Sequence, residues 1–363
     1  MERSGIIDFC RGIAIFGVIV IHVLMLFPSE EQGQPMGTAQ AAADTAFRFA
    51  VPLFILVLGY MTYTKYLSIT GFAGWSVFFL DKLRLVLWFI GWSAVYTASH
   101  HPLPKLAEVP PIQFTSFLWG NAEVHLYYLI AYFGFLVLTP AVAGGIRLLP
   151  PGWRMPVFLL AAGMHILLMT ESVRDIYAGR LDTFYISTLS HLPLHWFGFY
   201  AIGLASACWR ERFGKKILTL TSDWLLSSSI GVALGLIFLL TVGFAVHRQM
   251  YLYIYYTPYL YALLIVSIGL CSWLYMRMGA THLRAAVCRL GSYSFPVYLS
   301  HILWLKIMVL ALGGIVASWI QATAVISTVL LASILYIPAH KRIEHVVIRR
   351  IHAIWPFRSN YES

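Results

Sequence analysis

Charge is scarce in this sequence. Only 11% of its 363 residues are Asp, Glu, Lys or Arg, against roughly 25% in an ordinary soluble domain. A water-facing globular surface cannot be built from so few charges, so a soluble fold is excluded. Cysteine is also rare. Cys10, Cys208, Cys271 and Cys288 are the whole set. None stand in CxxC spacing, which argues against a zinc knuckle or a dithiol redox pair, and all four read as apolar fillers. No GxSxG, P-loop or convincing GxGxxG occurs, which disfavours nucleophile-elbow hydrolysis and nucleotide-driven pumping. There is no repeat period or low-complexity tract. No loop is longer than about 25 residues, too short for an independent soluble domain.

What the chain has instead is apolar surface. Hydrophobic residues make up 60% and aromatics 15%, with 12 Trp and 21 Tyr. That composition predicts an all-α polytopic membrane helix bundle with aromatic belts at the interfaces. Apolar runs of the 17–25 residues needed to cross a bilayer fall near 6–28, 46–66, 78–98, 124–143, 154–170, 191–209, 224–244, 255–276, 293–313 and 317–339, about ten in all. The third opens on Asp81-Lys82-Leu83-Arg84, and the fifth carries His165. Arg3, the following apolar run and Ala39-Gln40-Ala41 superficially fit a cleaved signal peptide. Arg11 interrupts that pattern, so an uncleaved first membrane helix is the better reading.

Ten crossings sort the charges. The first, third and later alternate gaps hold Glu30, Glu31, Asp44, Lys105, Glu108, Glu171, Arg174, Asp175, Arg180, Asp182 and Arg248. The opposite side collects 19 of the 25 basic residues, including Lys65, Lys82, Arg84, Arg147, Arg154, Arg210, Arg212, Arg284, Arg289, Lys341 and Arg342. Such an excess marks the cytoplasmic side. Both termini are therefore expected to be cytoplasmic, with the four thiols near that reducing side. The asymmetry also accounts for the net charge of +10 without a nucleic-acid partner. Residues 1–340 are expected to form the membrane domain, and 341–363 a basic cytoplasmic tail lying on the inner leaflet.

Polar residues inside such helices are candidates for function. Arg11 and His22 stand eleven positions apart, so on a helix they lie within about 20° of one face and roughly 16 Å apart along it. Asp8 precedes Arg11 by one turn. The plain alternative is an interfacial arginine and a snorkelling histidine. In the second helix, Pro52 predicts a kink, Gly59 a close approach, and Tyr60 a hydroxyl that is either buried or functional. Glu123 and His125 open the fourth helix on the same side as His22. A carboxylate orienting an imidazole there suits proton relay, and a simple surface location suits the pair equally. His301 falls near mid-membrane in the ninth helix, followed by Lys306. His191 and His195 stand four apart on the sixth, a spacing that can bind metal. His-Leu-Pro-Leu-His lacks the glutamate of HExxH, and Pro193 distorts the helix start, so no metal site is expected.

Four segments carry a resemblance. IDFCRGIAIFGVIVIH, with Arg11 and His22, resembles the first helix of the membrane acyltransferase-3 family. VPLFILVLGYM, EVHLYYLIAYFGFLVLTP and SYSFPVYLSHILW resemble its later segments, in the same order. The likeness is strongest to bacterial O-acetyltransferases of surface polysaccharides. It implies an acyltransferase of the bacterial inner membrane, moving an acyl group, commonly acetyl, from cytoplasmic acetyl-CoA to a hydroxyl of an extracytoplasmic glycan or lipid-linked sugar. CoA would be a co-substrate, with no tightly bound cofactor. Arg11, with Lys82 and Arg84, would hold the CoA phosphates. Asp8 would orient Arg11, and His22 would act as general base. Glu123, His125, Tyr128, Tyr60 and His301 would surround the acceptor. The chain departs from the family at Leu58, where serine is usual, and at Asp81-Lys82-Leu83-Arg84, where two arginines are usual. A polysaccharide or small-molecule transporter is the alternative, and inverted repeats or matched broken helices, which would favour it, are not visible. A lipid-binding assembly component without catalysis is a third reading. No face marks an oligomer contact, because most faces already meet lipid.

Overall fold

A computed structural model describes residues 5–26, 37–100, 119–178, 188, 190–220, 224–248, 255–312 and 318–354. Glu30, Glu31, Lys105, Glu108, Arg180 and Asp182 lie outside the described residues. The described regular structure is all helical: α1 Gly5–Leu24, α2 Thr38–Phe47, α3 Ala50–Thr64, α4 Gly71–His100, α5 Tyr127–Leu148, α6 Pro151–Tyr177, α7 Phe197–Leu220, α8 Trp224–His247, α9 Tyr259–Arg277, α10 His282–Ser292, α11 Ser294–Leu312 and α12 Trp319–Ile354.

Among the described residues, eight stretches are long and apolar enough to cross a membrane. The sequence predicts about ten. The difference falls on α4 and α7, which have 30 and 24 residues. Both are long enough, but α4 carries Asp81, Lys82 and Arg84 and α7 carries Arg210, Glu211 and Arg212 inside the helix. The chain is an integral multi-pass membrane helix bundle. Large apolar side chains face outward on α6, α8 and α12, Leu160, Leu240 and Leu335 among them, as a lipid-facing surface requires.

The hub is α1. It packs against α2, α3, α9, α10, α11 and α12, and most of its residues are buried. Two pairs of helices approach at backbone distance because each glycine lies against a backbone carbonyl of its partner helix. A Cβ on Gly59 would meet the Tyr200 carbonyl, and one on Gly203 the Leu56 carbonyl, which brings α3 and α7 together. A Cβ on Gly291 would strike the Asp8 carbonyl, and one on Gly12 the Val287 carbonyl. That contact seats α10 beside the Arg11 end of α1.

Several expected elements are corrected. The second helix is broken into α2 and α3 by a turn at Arg48–Phe49. Pro52 has no N–H to offer the Arg48 carbonyl four residues back, so the interruption stands where a proline kink falls, within the single apolar stretch Thr38–Ser68. The third helix begins at Gly71, whose φ of 69° suits glycine. Asp81-Lys82-Leu83-Arg84 thus lies well inside α4 and not at its entrance. The sixth helix begins at Phe197, after a 3₁₀ turn at Pro193–His195. The short α10 has no counterpart among the predicted elements. It follows Gly279, at φ 56°, and Thr281 caps it by accepting the Arg284 amide at 3.2 Å. Finally, α12 runs as one helix from Trp319 through Lys341 to Ile354.

Candidate active site

At the N-terminal end of α1, the Arg11 guanidinium donates to the Ser294 hydroxyl at 2.8 Å. It also stands 3.6 Å from the Asp8 carboxylate. The Arg11 side chain keeps 25% of its accessible surface, whereas Asp8 keeps 10%. Ser294 is the first residue of α11 and follows directly on the turn that ends α10. The Gly291 and Gly12 contacts therefore set where the Arg11 partner stands.

Lys82 and Arg84 belong to a neighbouring ion-pair network. Lys82 bonds Asp81 at 2.5 Å and its ammonium lies over the rings of Tyr66 and Phe78, at 5.6 and 5.7 Å. Arg84 reaches Glu344 of α12 at 3.3 Å and Asp81 at 3.5 Å. Part of the expected phosphate-binding charge is therefore compensated by Asp81 and Glu344. Sequence reasoning missed Ser294 and Glu344 because each lies more than 250 residues from its arginine.

At the far end of α1, three imidazoles converge. The ring centroids of His22 and His301 are 5.2 Å apart, those of His125 and His301 4.9 Å, and those of His22 and His125 6.2 Å. His22 comes from α1, His125 from the turns preceding α5, and His301 from the middle of α11. His125 and His301 are buried, while His22 keeps partial exposure. Both ring nitrogens of His125 and Nε2 of His301 are buried without a protein hydrogen-bond partner among the described residues. Nδ1 of His301 meets the Tyr298 carbonyl at 2.7 Å.

Aromatic and charged groups frame this cluster. The Tyr298 hydroxyl donates to the His125 carbonyl. The Tyr128 ring stands 5.7 Å from that of Tyr298. Tyr96 packs edge-on against His125 at 5.3 Å. Its hydroxyl donates to the Leu299 carbonyl at 2.6 Å and accepts the Leu303 amide at 3.2 Å, bridging the two groups that an α-helical turn joins directly. Lys306 pairs with Glu123 and lies 5.5 Å from the Tyr96 ring.

Asp44 and Arg48 form a second feature the sequence did not single out. Both Asp44 oxygens accept from Arg48 at 2.8 Å, and Arg48 lies over the Tyr255 ring at 5.1 Å. Gln40 donates to the Leu24 carbonyl at 3.0 Å, tying α2 to the end of α1. The i,i+4 spacing of Asp44 and Arg48 was the available signal.

The structure thus brings Arg11 together with Asp8, and His22 with His125 and His301; Tyr128 reaches this cluster through Tyr298, and the Glu123–Lys306 pair lies beside it. Tyr60 is not part of the second group, because its hydroxyl accepts from Arg210 of α7. His191 and His195 do not face a shared ligand position. His191 meets Asn121 at 3.2 Å and stacks on Trp119 at 5.8 Å, while His195 lies in the 3₁₀ turn against Trp196. His165 is held at both nitrogens, by the Tyr261 hydroxyl at 2.6 Å and the His195 carbonyl at 2.8 Å. No group of three or more His, Cys, Asp or Glu among the described residues can hold a metal ion.

Between the two polar ends of α1, Ala14, Ile15, Val18 and Ile19 are buried at 3% exposure or less. This stretch of the α1 face is packed shut in the present conformation, and both ends remain accessible. A family model described as an acyltransferase domain matches residues 5–337. No curated protein and no solved structure matches the chain significantly.

Proposed function

The chain belongs to the membrane acyltransferase-3 family and is an acyltransferase that moves groups other than aminoacyl, and from that premise we propose a transmembrane transfer with acyl-CoA as donor. The acyl group, acetyl in this reading, passes from cytoplasmic acyl-CoA to a hydroxyl of a glycan or lipid-linked sugar on the opposite face of a bacterial inner membrane. One observation supports the reading above others. A single helix carries a partly exposed arginine at one end and a partly exposed histidine, inside a three-histidine cluster, at the other.

In this mechanism Arg11, held by Asp8 and Ser294, and Lys82 engage the CoA phosphates, with Arg84 at the side of the entrance. The pantetheine arm, comparable in length to the roughly 16 Å between Arg11 and His22, parts the seam along α1 and brings the thioester to the histidines. His22 takes the proton of the attacking hydroxyl. The new C–O bond forms as the C–S bond breaks, and the proton returns from His22 to the thiolate sulfur, releasing free CoA thiol. His125 and Tyr128 place donors where the carbonyl oxygen gains charge. Glu123, through Lys306, and His301 complete the wall of the acceptor space.

The test is acyl incorporation from labelled acetyl-CoA in membranes holding the wild type, His22→Ala or Arg11→Ala. His22→Ala should lose nearly all transfer, about a hundred-fold or more, and Arg11→Ala should raise the KM for acetyl-CoA. Undiminished incorporation by His22→Ala would remove the proposed base. Glycan export without any incorporation would favour transport instead.

A further inference from the structure

His301 has a feature that neither His22 nor His125 shares. A carbonyl can only accept, so the contact of Nδ1 with the Tyr298 carbonyl at 2.7 Å requires a proton on Nδ1. In the neutral ring, Nε2 is then a lone pair with a fixed direction. That nitrogen is buried and has no protein partner among the described residues, and His301 itself has 0% exposure. Burying an acceptor without a donor is unfavourable, so this lone pair is placed for a donor that arrives or swings into range. The turn that carries it is braced from outside by the Tyr96 hydroxyl at Leu299 and Leu303.

We propose that His301 is the positioning residue of His22, which rests on the reading of His22 as general base. In its working arrangement the Tyr298 carbonyl holds the His301 Nδ1–H, and His301 Nε2 accepts the N–H of His22. The other nitrogen of His22 is thereby fixed as the lone pair that faces the acceptor hydroxyl. The centroid separation of 5.2 Å matches what one N–H···N bond of about 3 Å between two imidazoles gives. The rings are tilted by 49° and the bond is open in this conformation. Catalytic hydrogen bonds commonly close only when the substrate is bound. When the acceptor proton moves to His22, the bond to His301 becomes charge-assisted and strengthens, and His301 itself need not change protonation. His125 differs, because both of its ring nitrogens are unpartnered and its ring lacks a tautomer lock. It is therefore suited to meet the substrate directly.

Two measurements on the full chain in detergent test this. The first is the side-chain ¹⁵N spectrum, with the His22 signals assigned by their loss in His22→Ala and the acetyl-CoA analogue coenzyme A bound. His22 should show one tautomer in the wild type and in His301→Gln, whose amide can serve both neighbours. It should show a mixture in His301→Leu and in His301→Asn, which is too short to reach. The second is thiol release from acetyl-CoA with water as the acceptor. His301→Leu and His301→Asn should lower kcat about ten- to a hundred-fold, with KM within about twofold, and His301→Gln should recover most of the loss. A His22 tautomer unmoved in both His301→Leu and His301→Asn overturns the proposal, as does a change confined to His125. If His22→Ala retains full thiol release, the base reading itself fails, and the tautomer result still reports separately on the His301–His22 link.

Discussion

Arg11 and Ser294 lie 283 positions apart in the chain and are joined by one hydrogen bond of 2.8 Å between α1 and the first residue of α11. The bond helps to hold a guanidinium that also pairs with Asp8, one turn away. Ser294→Ala removes a hydrogen bond to a charged group, worth about 1.5–3 kcal/mol when well formed, less here because Arg11 is a quarter exposed. If Arg11 holds the donor, the loss should appear as a three- to tenfold rise in the KM for acetyl-CoA, roughly 1 kcal/mol of binding, with kcat within about twofold. Ser294→Thr should restore the wild-type value. A fall in kcat at unchanged KM would place Ser294 in the chemistry and not in donor binding.

Tyr96→Phe tests the brace on the histidine cluster. The phenol bridges the Leu299 carbonyl and the Leu303 amide, and an inserted side chain of that kind distorts a helix ladder locally. Without the hydroxyl the turn can close on itself, which would move His301. Stability should fall by about 1 kcal/mol or less, since the freed groups find each other, while transfer should fall more, about tenfold. Thermal unfolding in detergent beside transfer in membranes separates the two. Equal small losses in both would make Tyr96 a packing residue only.

Much of this arrangement was legible in the sequence, and the reasons differ by residue. Apolar runs of membrane length located the bundle, because every span must satisfy its backbone internally. Arg11 and His22 were placed on one face by the helical period alone. His301 and His125 were recognisable as polar residues within apolar runs, but their meeting with His22 depends on how α1, α11 and the turns before α5 pack, which no local pattern reports. The break at Arg48–Phe49 was legible through Pro52, which cannot bond the carbonyl one turn before it. The amphipathic α10 was missed because it is short and polar enough to pass for a loop. Ser294 and Glu344 escaped because their partners are distant in the chain.

The seat of α10 gives a prediction with an internal control. A methyl group on Gly291 would collide with the Asp8 carbonyl, and one on Gly12 with the Val287 carbonyl. Backbone atoms cannot yield as a flexible side chain can. Gly291→Ala and Gly12→Ala should each destabilise by about 1–3 kcal/mol or more, as over-packing does, and should reduce donor use by displacing Ser294. Gly144 and Gly145 in α5 have nothing within 4 Å of where an added methyl would sit. There, alanine should be neutral or stabilising by up to about 1 kcal/mol. Thermal midpoints of the four variants in one detergent check the contrast. An equal response at all four positions would mean that the α1–α10 contact is looser than described.

The Glu123–Lys306 pair joins the turns before α5 to α11 and lies beside the cluster. Glu123 keeps 10% of its side-chain surface and Lys306 keeps 30%, so the pair is neither fully buried nor freely hydrated. Removing one partner of a fully buried pair destabilises by about 3–5 kcal/mol, largely because the other charge is stranded. With solvent reaching Lys306, about 1–3 kcal/mol is expected for Glu123→Gln or Lys306→Met alone. The double variant strands no charge and should be no worse than the milder single variant. Thermal unfolding of all four proteins gives the coupling energy, expected to exceed about 1 kcal/mol. Additive losses would show that the two side chains act independently. In that case the Tyr96 ring, 5.5 Å away, and the Ser99 hydroxyl, at 3.5 Å, would help to place Lys306, and Glu123 would have no electrostatic route to the histidines through it.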